Sequence, residues 1–132
     1  VQAMYCWKFL SQFGPKNPPT ILLERSRKVQ NDYDNYRASP KNCTQSLLDR
    51  IFTLEDPPIV LRDNEYPYNC DEYIKHKVLW INPNSKITTN DIIDYIENLD
   101  KNIIYFENID SNKSIKAIRH FHIFIKEDSS HL

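Results

Sequence analysis

The sequence predicts an α+β domain built on an antiparallel β-sheet of about four to five strands. Three observations lead there. Apolar residues in 1–55 recur at helical spacing, whereas those of 56–127 fall mostly in short runs with β character. One strongly signalled helix separates two pairs of such runs. Long crossovers of the kind a parallel sheet needs are too few, so antiparallel pairing with helices gathered on one side is expected. At 132 residues the chain reads as a single domain, 1–132, large enough to bury a core.

Residues 4–13 (MYCWKFLSQF) have helix-compatible spacing and stop at GPKNPP, a strong breaker. Pro18 and Pro19 can open a second helix from Thr20 to about Arg37, with Leu22, Val29, Tyr33 and Tyr36 on one face. Pro40 ends it, and Leu47, Leu48, Ile51 and Phe52 suggest a short third helix from about Thr44. DPPIVLRDN then brings a proline turn and a strand at 59–62, YPYNCDEY a polar aromatic loop, and IKHKVLWIN a strand at 74–82 closed by PNS. TTNDIIDYIENL is the clearest helix. Thr88 can cap it, Asp91 completes a capping-box pattern, and Ile92, Tyr95, Ile96 and Leu99 form its buried stripe. Strands at 102–108 (NIIYFEN) and 118–126 (IRHFHIFIK) complete the order α-α-α-β-β-α-β-β. Residues 128–132, with His131, read as a disordered polar tail.

Composition narrows the function. At 40% hydrophobic and 27% charged residues the chain is of soluble globular type, with no apolar run near the roughly 18 residues of a membrane span and no signal-peptide pattern. Seventeen basic and 18 acidic residues leave a net charge of −1, which speaks against a nucleic-acid partner. Cys6, Cys43 and Cys70 are odd in number and form no C-x-x-C, so reduced thiols in a cytoplasmic and/or nuclear protein are expected. The single glycine, Gly14, rules out Walker and Rossmann phosphate loops.

Strand periodicity locates the histidines. His120, His122 and Phe124 project to one side of the last strand, and Phe121, Ile123 and Ile125 to the other. The second set is wholly apolar and must face the core, leaving the histidines on a face open to solvent or covered by a ligand or loop. His76, Val78 and Trp80 share a face of their own strand. Three readings follow: half-exposed strand residues held by water or carbonyls; a metal site with His76 or Asp63 as third ligand; or phosphate chemistry, in which imidazoles hold phosphate oxygens or attack phosphorus.

The segment ENIDSNKSIKAIRHFHIFI resembles the end of histidine-triad (HIT-like) nucleotide-binding proteins, with Asn108, Ser114, Ile118, His120 and His122 at matching positions. LRDNEYPYNCDEYIKHKVLWINP is similar to that superfamily's first half. The resemblance implies a HIT-like fold and gives His122 the place of the nucleophile. Phe124 stands where the third histidine would be, and the usual glycine and glutamine are absent, which favours binding over turnover. Nearly the whole chain is similar to a fungal family that includes the N-acetylglucosamine-induced proteins, through NEYPY, HKVLW, NP, KSIKAIRHFHIF, CWKFL and LERSRKVQNDYDNY. That similarity implies a protein that binds CTP.

The residues suit such a ligand. Arg62 with Lys77 or Arg119 can offset phosphate charge, Tyr66, Tyr68 and Trp80 offer flat surfaces for a base, and Asn64 or Asn108 could read its edge. With Ser114, His76, His120 and His122 these form the expected site on the open face of the sheet. No resident metal is expected, although Mg²⁺ can accompany a triphosphate. The alternatives are a nucleotide hydrolase or nucleotidyl transferase using His122, and a non-catalytic protein-interaction module.

Overall fold

A computed structural model describes residues 4–52 and 57–127; the expected tail and His131 lie outside the described residues. The elements are α1 (Trp7–Leu10), α2 (Arg27–Arg37), α3 (Thr44–Ile51), β1 (Ile59–Asp63), β2 (Ile74–Ile81), α4 (Thr89–Glu97), β3 (Ile103–Phe106) and β4 (His120–Lys126), with a 3₁₀ turn at Asp110–Asn112. The four strands form one antiparallel sheet in the order β1-β2-β4-β3. The expected α+β architecture is therefore present, and the histidine-bearing β4 occupies an interior position.

Local chemistry explains the boundaries. At α4, Thr88 Oγ1 accepts from the Asp91 amide and Asp91 Oδ2 from the Thr88 amide, closing the capping box anticipated for it. The second helix starts later than its prolines suggest, because Ser26 supplies the cap by accepting from the Val29 amide at 3.3 Å. Before it the chain is extended, held where Glu24 N–H donates to the Tyr5 hydroxyl and Asn69 N–H to the Glu24 carbonyl. Leu22 consequently lies outside the helix and is exposed rather than on its buried face.

Strand alternation divides the interior in two. Leu79, Ile81, Tyr105, Phe121 and Ile123 pack on Ile92 and Ile96 of α4. The opposite face carries Val78, Trp80, Phe106 and Phe124 beside the histidines, too apolar to be left in water. Tyr5, Leu10, Leu23 and Tyr68 cover one end of it, and Ile51 and Phe52 cover the other. This corrects two expectations: helices lie on both sides of the sheet, and the histidine face is closed over. No helix among the described residues is long and apolar enough to cross a membrane.

Candidate functional site

The strand register sets His122 opposite Val78, His120 opposite Trp80, and His76 opposite Phe124. All three histidines are buried, at 5–7% exposure, so each must satisfy its ring nitrogens within the protein or at a cavity. His76 and His122 form a relay whose proton positions follow from one backbone amide. Tyr68 N–H donates to His76 Nδ1 at 3.1 Å. That nitrogen is therefore unprotonated, and neutral His76 carries its hydrogen on Nε2. Nε2 lies 2.8 Å from His122 Nδ1 and donates to it. His122 in turn holds its hydrogen on Nε2, where the Asn108 amide approaches to 3.0 Å. Asn108 Nδ2 facing that N–H would set two donors together, so the bonded arrangement turns the amide oxygen to the ring.

Burial pushes the His76 pKa down to about 3. His122 is held well below the ordinary histidine value by burial first, and then by His76, His120 and the Arg25 guanidinium. Stacking fixes the rings: Phe124 lies on His76 at 4.4 Å between centroids and Tyr68 on His122 at 5.2 Å. Both nitrogens of each ring are committed.

His120 is arranged differently. Its Nδ1 sits 2.8 Å from the Ile118 carbonyl, which can only accept, so the hydrogen is on Nδ1 and Nε2 keeps its lone pair. Nε2 has no hydrogen-bond partner among the described residues, and no buried side-chain nitrogen or oxygen is left unsatisfied. Nε2 therefore opens onto the cavity that His120 lines. Burial lowers the pKa of His120, outweighing the carbonyl contact, and keeps the ring neutral.

That cavity, of about 90 Å³, lies between the histidine face and α2–α3. It brings together Arg62, Asn64, Tyr66, Trp80, Ser114, His120 and His122 from the expected set. A second, wider cavity holds Tyr68 and Asn108 and shares Arg25, Tyr33, Ser114 and His122 with the first. Two of the shared residues are bonded to each other, Tyr33 hydroxyl to Ser114 Oγ at 2.7 Å.

Not every expected residue converges. His76 lines neither cavity and acts by holding His122 from behind. Arg119 is on the α4 face, bonded to Glu107 at 2.8 and 3.1 Å and to Thr89. Lys77 also points away, 2.6 Å from Asp63. Lys77 has an odd number in a strand whose even positions face the site, and Arg119, just before β4, continues the same alternation, a parity the sequence already carries. Arg62 donates through NH2 to the Arg50 and Ile51 carbonyls, closing the last turn of α3 as well as lining the cavity. Asp63 borders the first cavity, with its carboxylate bonded to Lys77. Among the described residues no group of three or more His, Cys, Asp or Glu could hold a metal ion, so the metal reading lacks its third ligand.

The helices supply residues the sequence reading omitted. Tyr33 and Tyr36 of α2 and Arg50 of α3 line the first cavity, as does Arg25 just before α2. The Arg25 guanidinium lies 4.3 Å over the Tyr33 ring while its Nε donates to the Tyr66 carbonyl at 2.7 Å. Tyr36 stacks on Tyr66 at 5.7 Å and accepts from Arg50 at 2.7 Å. The one sequence signal for them was the apolar stripe of α2, whose tyrosines read equally well as core.

Residues 7–126 match the model of a family described as "Protein of unknown function (DUF3605)". A solved structure, described as the crystal structure of HTC1, shares the fold with a TM-score of 0.63 and 18% identity, over 83% of this chain and 79% of that one. No curated protein matches the chain.

Proposed function

We propose a nucleotide-binding function, with CTP as ligand, for this chain, which belongs to the DUF3605 family of unknown function. The observation that carries the reading is a cavity in which tyrosine and tryptophan faces, three arginines and a neutral histidine with an open nitrogen converge. Such a mixture of apolar walls with a few directed polar groups is what a nucleoside ligand requires. The first cavity, about 90 Å³, holds the equivalent of roughly six to nine waters, which suits a single-ring base beside Trp80, Tyr36 and Tyr66. The wider cavity adds Arg27 and Arg37 to the shared Arg25 and suits the phosphates. Any Mg²⁺ would arrive on the phosphates themselves.

The similarity to the fungal N-acetylglucosamine-induced proteins supports the same ligand, and the histidine-triad-like segment supports nucleotide binding in general. Turnover with His122 as nucleophile is less favoured. Both of its nitrogens are engaged, and Nε2 carries a proton where an attack would need a lone pair. The three cysteines are free, and burial pushes the Cys70 thiol up to about 12, in keeping with a reducing cytoplasmic or nuclear setting.

A thermal-unfolding panel of ATP, GTP, CTP and UTP tests the reading, because a ligand that binds only the folded state raises the melting temperature. The expected result is a rise largest with CTP. A panel with no shift for any nucleotide would sink the proposal and favour the interaction module.

A further inference from the structure

We propose that Ser39 is a phosphorylation site for a proline-directed protein kinase, and that its modification loosens the wall α2 gives to both cavities. The inference rests on the nucleotide reading for its last step alone, the effect on ligand affinity.

Ser39 is the only serine or threonine of the chain that is followed by proline. A kinase with an apolar slot after the serine selects Pro40, which has no N–H to leave unpaired there. Basic residues flank the pair at Arg37 and Lys41, and residues 40–45 form an exposed run between α2 and α3. The turn is held by the Asn42 amide, which donates to the Ser39 carbonyl at 3.1 Å, and by the Cys43 amide on Lys41 at 3.0 Å. Two backbone bonds in an exposed turn open at small cost, so the segment can extend into a kinase cleft.

In the folded chain the Ser39 hydroxyl caps α2. Its Oγ donates to the Tyr36 carbonyl at 2.7 Å, and Asn42 Nδ2 covers the Arg37 carbonyl at 3.0 Å. Transfer from ATP forms an Oγ–P bond as the bond from the γ-phosphorus to the departing ADP oxygen breaks. The hydroxyl proton leaves to the kinase's base. The Tyr36 carbonyl thereby loses the hydroxyl donor. A group of about −1.5 to −2 charge takes its place at the negative end of the helix, where it is repelled.

The same turn carries walls of the site. Tyr36 lines the first cavity, stacked on Tyr66 at 5.7 Å and accepting from Arg50 at 2.7 Å. Arg37 lines the second, with its guanidinium 5.6 Å from the Tyr33 ring. Tyr33 is the one buried residue of α2 among the described residues, so packing does little to hold the helix once its end is uncapped. A phosphate two residues away also draws the Arg37 guanidinium out of the second cavity. Both effects act in one direction.

The unaltered protein, incubated with Mg²⁺-ATP and a kinase of the cyclin-dependent class, should gain a phosphoryl group on Ser39, located by fragment-ion mass spectrometry. Hydrogen exchange without ligand should then quicken about five- to thirtyfold over residues 34–39, while the amides of α4 keep their rates. Titration with CTP should show affinity falling by a similar factor. A kinase active on a control substrate that leaves Ser39 unmodified would overturn the assignment. Unchanged exchange at 34–39 in the phosphorylated protein would overturn the loosening, and unchanged affinity would overturn its link to the cavities. Faster exchange in a protein that binds no nucleotide, modified or not, would support the switch in α2 and remove the nucleotide reading.

Discussion

On the α4 side of the sheet, Leu79, Phe121 and Ile123 meet Ile92 and Ile96 as a continuous apolar layer. On the other side, alternate residues of the same two strands bring in His76, His120 and His122, each buried and each tied to a named partner. The cavities that border His120 and His122 belong to this second face. Aliphatic side chains fill space by shape alone, whereas imidazoles and amides need directed partners and leave gaps where those directions do not close. One β-ribbon thus carries a close-packed apolar layer on one side and a polar layer bordering the cavities on the other.

Acid should separate the faces most sharply. The folded chain keeps His76 and His122 neutral, with His76 depressed to about 3, while an unfolded histidine titrates near 6.5. As the pH falls below 6.5 the unfolded state takes up protons that the folded state refuses, so stability is lost from there down toward pH 3. The full contribution is present above about 6.5. By pH 5 His76 should cost on the order of 2 kcal/mol, with His122 adding a loss of the same sign, and urea denaturation at pH 7 and pH 5 would register it. An unchanged midpoint between those conditions would mean that the pair is not held neutral.

The apolar face should break in the complementary way. Phe121→Ala removes a ring buried against α4, and is expected to cost about 3–5 kcal/mol at any pH. The temperature shift produced by a nucleotide should survive in the fraction that remains folded, because Phe121 points away from both cavities. Loss of the shift in a variant that still folds would show that the faces are coupled more tightly than their packing indicates.

How much of this was legible in advance differs between the faces for the same reason. The apolar layer and α4 follow from local signals: period-two alternation in FHIFI, a 3.6-residue stripe, and the Thr88–Asp91 box. Periodicity also placed His120 and His122 on one side together. It could not show that this side is buried, since Leu10, Leu23, Tyr33 and Ile51 reach it from segments distant in the chain. The tautomers were equally out of reach, because Tyr68 N–H and Ile118 C=O are backbone groups with no residue-type signature. Arg119 was misplaced through neglect of its odd position, whereas Arg25 and Tyr33 were missed because a helix stripe does not say which residues will border a cavity.

The smallest predicted effect concerns the bond between the two cavities. Tyr33→Phe deletes only the hydroxyl that donates to Ser114 at 2.7 Å, and leaves the ring with Arg25 above it and Tyr66 at 5.0 Å. The lost hydrogen bond should lower stability by about 0.5–1.5 kcal/mol. A nucleotide with its base in the first cavity and its phosphates in the second has to pass between these residues, so the native protein gives up their bond when it binds. The variant has no such bond to give up, and its affinity for CTP should rise about two- to tenfold, measured by titration beside the unaltered protein. A fall in affinity would instead make the Tyr33 hydroxyl a ligand contact, and would move the phosphates of the proposed complex closer to α2.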